Sequence, residues 1–177
     1  DASDVISYAQ TVERSVQKLL QNGISENDIS FENGTVAGYD HSPAATDNAK
    51  LFNSSDGGGL NWTTPTTDQT PASTNKWLFT GDVIVTGQED DTLSELLATL
   101  PVTYDVCIEI NKQLNSGINI AAANGTLNAT KFTGSFADNV TIIFSPGAGI
   151  TSGCIKGLIT NGTQSGEYTF FHVLIAR

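Results

Sequence analysis

Residues 4–22, DVISYAQTVERSVQKLLQN, decide the fold. Val5, Ile6, Ala9, Val12, Val16, Leu19 and Leu20 stand at offsets 0, 1, 4, 7, 11, 14 and 15, a single apolar stripe on a helix of 3.6 residues per turn. Lys18 suits the negative end of that helix, and Asn22-Gly23 supplies the left-handed cap that stops it. At about 1.5 Å per residue the helix is roughly 28 Å long. Nothing before Ser3 dictates a start there, so the segment reads as the lower half of a longer helix. The chain holds no Met and opens at Asp1, and the expectation is that an upstream part, a signal peptide or membrane anchor, precedes it.

After the helix the pattern changes. Ser25-Glu26-Asn27-Asp28 reads as a capped turn, and Ile29, Phe31, Val36 and Tyr39 around Asn33-Gly34 suggest a short hairpin. Residues 40–75 lose periodicity, with three prolines and the triplet Gly57-Gly58-Gly59. They also carry Leu51, Phe52, Leu60 and Trp62, which predicts a long loop docked on the body. Residues 77–86, WLFTGDVIVT, are a strand by their β-branched and aromatic content. Thr92-Leu93-Ser94-Glu95 matches a capping box before Leu96, Leu97 and Leu100, predicting a short helix ended by Pro101. Residues 103–115 fit a helical stripe through Val106, Cys107, Ile110 and Leu114, and also a strand alternation through Tyr104, Val106, Ile108 and Ile110. The ending Lys112, Asn115, Gly117 favours the helix. Residues 140–144, 154–160 and 168–176 read as three strands joined by short connections, hence an antiparallel sheet. The expected class is α+β, one domain over 1–177: the 4–22 helix, the 40–75 docked loop, and a sheet with short helices over 77–177.

Charge narrows the partners. With 8 Lys+Arg against 19 Asp+Glu the formal charge is −11, which lacks the positive field that drives nucleic-acid binding and is repelled by anionic lipid head groups. No nucleic acid and no peripheral membrane contact are expected. The excess of Thr, Ser, Asn and Gly, with 15% charged residues, is the habit of exported β-rich domains.

Few residues invite chemistry. His41 in the loop and His172 in the last strand have no sequence-visible partner, and His172 is expected to be an ordinary strand residue with one hydrogen-bond partner. No catalytic centre and no cofactor are expected. Gly57-Gly58-Gly59 lacks the Lys-Ser/Thr of a phosphate loop and reads as a tight turn. Glu89-Asp90-Asp91, with Asp82, lacks the spacing of a Ca²⁺ loop and reads as a solvated turn before the helix expected at Thr92. Seven Asn-x-Ser/Thr acceptors, at Asn33, Asn53, Asn61, Asn124, Asn128, Asn139 and Asn161, read chiefly as turn chemistry, with glycan attachment as the alternative. Cys107 and Cys154 are an isolated even pair with no metal-ligand company, so a disulfide is predicted, two buried free thiols being the alternative. The bond would close a loop worth about 4 kcal/mol in chain entropy and place the domain outside the cytosol.

Together the uncapped opening helix, the turn at Ser25, the loop-rich middle, the sheet and the Cys pair resemble the globular domain of type IV pilin-like proteins, that is bacterial pilins, minor pilins and pseudopilins. The segments AKLFNSSDGGGLNW (49–62), LLATLPVTYDVCIEINKQL (96–114) and YTFFHVLIAR (168–177) are similar to those of small bacterial prepilin-type proteins. The family's apolar N-terminal half-helix, its glutamate and its prepilin-peptidase site are not in these residues. The resemblance implies a transmembrane half-helix upstream of Asp1, through which pilin-like subunits assemble and by which the chain is anchored in the inner membrane before joining a periplasmic or extracellular filament. It also implies that the 4–22 stripe packs on the sheet and that Cys107 and Cys154 are the family's C-terminal disulfide. The leading expectation is a filament subunit without catalysis. A second is a surface adhesin or tip subunit binding carbohydrate or peptide through the 40–75 loop, with Tyr39, Trp62 and Trp77 as its recognition surface. A third is a secreted hydrolase using Asp82, Asp105 and Glu109.

Overall fold

The computed structural model describes residues 1–66, 68–71, 76–121, 123–138, 143–161 and 168–177. Helix α1 (Ala2–Gln21) opens an α+β fold. Its start does have a cap: the Asp1 carboxylate accepts the Asp4 N–H at 3.1 Å while the Asp4 carboxylate takes the Asp1 amino group. At the other end Gly23 adopts φ +89° and the Ile24 N–H reaches the Leu19 carbonyl at 3.0 Å, closing the last turn. Val5, Ile6, Ala9, Val12, Val16 and Leu19 are buried and Leu20 is half-buried.

The sheet contains β1 (Leu78–Val85), β2 (Glu95–Val102), β3 (Ala123–Asn128), β4 (Ile143–Phe144), β5 (Ser152–Thr160) and β6 (Tyr168–Ile175), in the order β3-β5-β6-β2-β1-β4. The four central strands pair antiparallel, but β3 runs parallel to β5 and β4 parallel to β1. The expected antiparallel sheet is therefore a mixed one. The chain leaves β3 at one edge, forms β4 at the other, then returns to lay β5 beside β3, so the short β4–β5 connection does not join neighbours, whereas β5 and β6 do pair antiparallel across theirs. Of the expected 140–144 strand, Ile143 and Phe144 form β4 and 140–142 lie outside the described residues.

Two local expectations are corrected. The helix foreseen after Thr92 is strand β2, all eight of whose residues are buried. A strand with neighbours on both sides and cover on both faces needs a continuous apolar run, which imitates a helix stripe over so few residues. Pro101 is tolerated because it lies past the last β1 pair, Leu78 with Thr99. The hairpin around Asn33-Gly34 is a looped segment instead. Its contact is an isolated parallel bridge from Ser30 to Lys50, while Asn33 Oδ1 accepts the N–H groups of Thr35 and Val36. The Ser25 turn is a 3-10 turn, Glu26–Asp28, without a side-chain cap.

Residues 103–115 do form a helix, α2 (Tyr104–Leu114), capped by Thr103 and ended by Asn115 at φ +49°. Helices α1 and α2 cover one face of the sheet, where Phe79, Leu96, Ala98, Leu100, Phe170 and Leu174 lie. The other face gathers Val83, Val85, Leu97, Phe144, Ile155 and Phe171 into a second cluster. Cys107 on α2 and Cys154 on β5 are bonded, with Cα atoms 5.3 Å apart. Beside them Asn111 imitates a strand neighbour: its Nδ2 donates to the Cys154 carbonyl and its Oδ1 accepts the Cys154 N–H, both at 2.8 Å.

The 40–75 loop is docked where it is described. Leu51 is fully buried, and Phe52, Leu60 and Trp62 lie against the core. Residues 67 and 72–75 lie outside the described residues.

Candidate functional site

The three aromatics expected to form a recognition surface are taken up by packing. Tyr39 and Trp77 are buried and Trp62 is half-buried. The Tyr39 hydroxyl donates to the Trp77 carbonyl at 3.4 Å and accepts the Phe79 N–H at 3.2 Å, and burial pushes its pKa up. Their rings clamp Phe79, with Trp62 edge-on to it and Trp77 stacked on it. Aromatic content in a loop marks either a surface or a clamp, and sequence does not carry the direction of the side chains.

The same loop lines several hollows, one of about 230 Å³ between Tyr8, Thr63, Pro65 and Trp77. A hollow of about 340 Å³ is lined by Asn27, Asp28, His41, Ser42, Thr133 and Ser135 among others. Asn27 ties its two walls together by donating to the Gly134 carbonyl at 3.1 Å. His41 sits edge-on to Phe132, and burial lowers its pKa.

A second cluster joins three distant parts of the chain. His172 on β6 is buried; its Nε2 lies 2.6 Å from Glu13 Oε1 on α1 and its Nδ1 lies 2.9 Å from Ser152 Oγ on β5. The sequence led to one partner for this imidazole, and the structure provides two. Ser152 and His172 are directly opposed across the β5/β6 ladder, which brings their side chains to the same face, and the stripe of α1 sets Glu13 against that face. Burial lowers the His172 pKa, opposed by the hydrogen bond and charge of Glu13. No sequence signal pairs positions 13, 152 and 172; only the strand register and helix docking do.

The remaining polar candidates are engaged locally. Asp82 accepts the N–H and hydroxyl of Thr130, while Asp105 and Glu109 stand exposed on α2, so the three carboxylates do not converge. Asp90 accepts from Thr92, and Asp91 accepts the Gly87 N–H at 2.8 Å, giving a turn that leads into a strand rather than a helix. Among the described residues no group of three or more His, Cys, Asp or Glu could hold a metal ion. Asn33 and Asn53 bind their own loop N–H groups, Asn161 donates to the Ala129 carbonyl, and Asn61 is exposed. Asn139 lies outside the described residues. Sequence reasoning placed Glu95 in a helix-capping box and missed its burial: it is wholly buried at the start of β2. Its Oε2 accepts the Val85 N–H at 2.5 Å, its Oε1 has no partner among the described residues, and burial pushes its carboxyl up to about 7. It also missed Arg177, which bonds Asp138 at 2.6 Å and Glu26 at 3.2 Å while lying over the Phe136 ring.

No family model, no curated protein and no solved structure matches this chain.

Proposed function

We propose that this domain is a structural subunit of an extracellular or periplasm-spanning filament of the type IV pilus or secretion pseudopilus kind. The observation that carries the reading is the use of α1. Its apolar stripe is consumed on the domain's own sheet, while its capping residue lies at the surface, the Asp1 side chain being 77% exposed. In this reading a segment upstream of Asp1 leads away from the body and is available to other subunits. Two features of the resembling segments support it: the 49–62 segment is seated on α1, where the Ser15 hydroxyl donates to the Gly58 carbonyl at 3.2 Å, and the Cys107–Cys154 bond ties α2 to β5. Among the described residues no helix is long and apolar enough to cross a membrane; the proposal assigns anchoring and assembly to a segment before Asp1. The gene sequence before Asp1 tests this. A short basic leader followed by about 20 apolar residues is the expected result; another folded domain with no apolar segment would overturn it.

A second reading, a surface adhesin or tip subunit, draws support from the His41 hollow rather than from the aromatic clamp.

A further inference from the structure

We propose that Ser152 is an activated nucleophile, its hydroxyl primed by His172 and Glu13 to accept an acyl group from small activated esters. This is independent of the filament reading and concerns a different face from the His41 hollow.

The proton positions follow from the contacts. With Glu13 ionised, the 2.6 Å approach of Nε2 is a hydrogen bond only if Nε2 carries the proton and donates it. The neutral ring then presents the lone pair of Nδ1 to Ser152 at 2.9 Å, so the hydroxyl donates. Hydroxyl to imidazole to carboxylate is the order of parts a serine nucleophile needs, and those roles are set by geometry rather than by chain order. The ring is held in place by burial and by stacking on Phe170. Its charged neighbour is Glu13 from α1; Ser152 from β5 and Ala98, opposite it on β2, bring no charge. Burial keeps the imidazole neutral at pH 7 and therefore able to take a proton.

Ser152 is half-buried, and a hollow of about 350 Å³ lies alongside, lined by Glu13, Gln17 and Glu89 and by Thr151 and Val173, the chain neighbours of Ser152 and His172. The Val173 N–H bonds the Thr151 carbonyl, so Ser152 and His172 are the non-hydrogen-bonded pair of the ladder. The Ser152 N–H consequently faces away from β6, where β3 has not yet begun to pair, since the first β3/β5 pair is Ala123 with Lys156. It is a donor on the nucleophile's own residue for the developing oxyanion.

In the step itself Ser152 Oγ bonds the ester carbonyl carbon as its proton passes to His172 Nδ1. The tetrahedral adduct then expels the alkoxide, which leaves as the alcohol with that proton. Water repeats the sequence in reverse roles and releases the acid. Ser152 and His172 touch reacting atoms; Glu13 acts through the ring and is a positioning residue.

A fluorophosphonate probe on the 177-residue chain, with the labelled peptides quantified by mass spectrometry, tests this. Ser152 should label about 100-fold faster than the exposed Ser7, the lower end of what general-base assistance gives. His172→Gln should bring it to the Ser7 rate, Ser152→Ala should remove the peptide from the labelled set, and unfolding in urea should erase the preference. The wild-type rate should rise with pH through an imidazole midpoint, and Glu13→Gln should move that midpoint down by removing the carboxylate that favours imidazolium. If His172→Gln does not fold, the wild-type pH profile decides. Labelling of Ser152 no faster than Ser7, a His172→Gln chain that labels as wild type, or a profile first-order in hydroxide with no midpoint overturns the proposal.

Discussion

Glu95 is a carboxylic acid held out of water. It is the first residue of strand β2, with one carboxylate oxygen bonded to the Val85 N–H and the other unpartnered among the described residues. Burial raises its pKa from 4.5 to about 7, opposed by the backbone N–H groups it accepts. The sign of the linkage is fixed by which state holds the proton. Between pH 4.5 and 7 the folded chain binds the proton and the unfolded chain has lost it, so stability falls as pH rises through that window and is level above it. At 1.36 kcal/mol per pKa unit the loss is about 3 kcal/mol at most. His172 and His41 have lowered values and act in the opposite sense, losing stability as pH drops below 6.5. The two effects are separated by Glu95→Gln, which keeps an acceptor for Val85 and cannot ionise. Urea unfolding at pH 5 and pH 8 should show the wild type gaining less stability, or losing more, than the variant over that interval. Parallel curves for the two would show that Glu95 is not desolvated as described.

At the scale of elements, the seating of the 49–62 loop on α1 depends on glycines. A Cβ on Gly58 would overlap the Ser15 hydroxyl and come within 2.6 Å of the Leu51 carbonyl, whereas one on Gly59 meets nothing within 4 Å. Gly58→Ala should therefore cost about 1–3 kcal/mol by overpacking the loop against the helix, and Ser15→Ala on the same chain should recover part of it in a double-mutant cycle. No loss on Gly58→Ala, measured by urea unfolding, would show that the loop is not held against α1. This seating was legible in the sequence only as a loop with apolar residues and a glycine triplet. Helix α1 was readable because its stripe repeats along the whole segment, and α2 because Lys112, Asn115 and Gly117 end it as helix C-termini do. Strand β2 was not, since Leu96, Leu97 and Leu100 are too short a run to separate a covered strand from a helix. The parallel edges β3 and β4 were hidden because edge-to-edge crossing leaves no mark in spacing. The Ser152, His172 and Glu13 cluster was invisible for the same reason: it is created by ladder register and helix docking between residues up to 159 positions apart. Tyr39, Trp62 and Trp77 were visible by type, but whether they faced water or the core was decided by Phe79, which they enclose.

For the molecule as a whole, the filament reading makes a claim about what these 177 residues do not do by themselves. A stable contact between copies needs above about 1,000 Å² of buried surface in total. The apolar face of α1 is consumed internally, and among the described residues the large apolar side chains left exposed are Tyr104 and Ile108 on α2, at 51% and 38%. Two partly exposed side chains fall short of the contiguous patch that marks an interface. The charge of −11 adds repulsion between copies, acting over about 10 Å at 0.1 M salt and further at lower ionic strength. The domain should thus sediment as a monomer or weak dimer, with any association weakest in dilute buffer and strengthened as salt screens the charge. Adding an upstream apolar half-helix should reverse this, because burial of that segment grows with its area while the repulsion does not. Sedimentation of the 177-residue chain across ionic strengths, beside the full-length product in detergent and after its removal, distinguishes the cases. Filaments formed by the domain alone would show that its own edges and loops supply the contact area, and the upstream helix would lose its place in the argument. A full-length chain that stays monomeric once detergent is removed would instead favour the adhesin reading, in which the His41 hollow rather than α1 is the working surface.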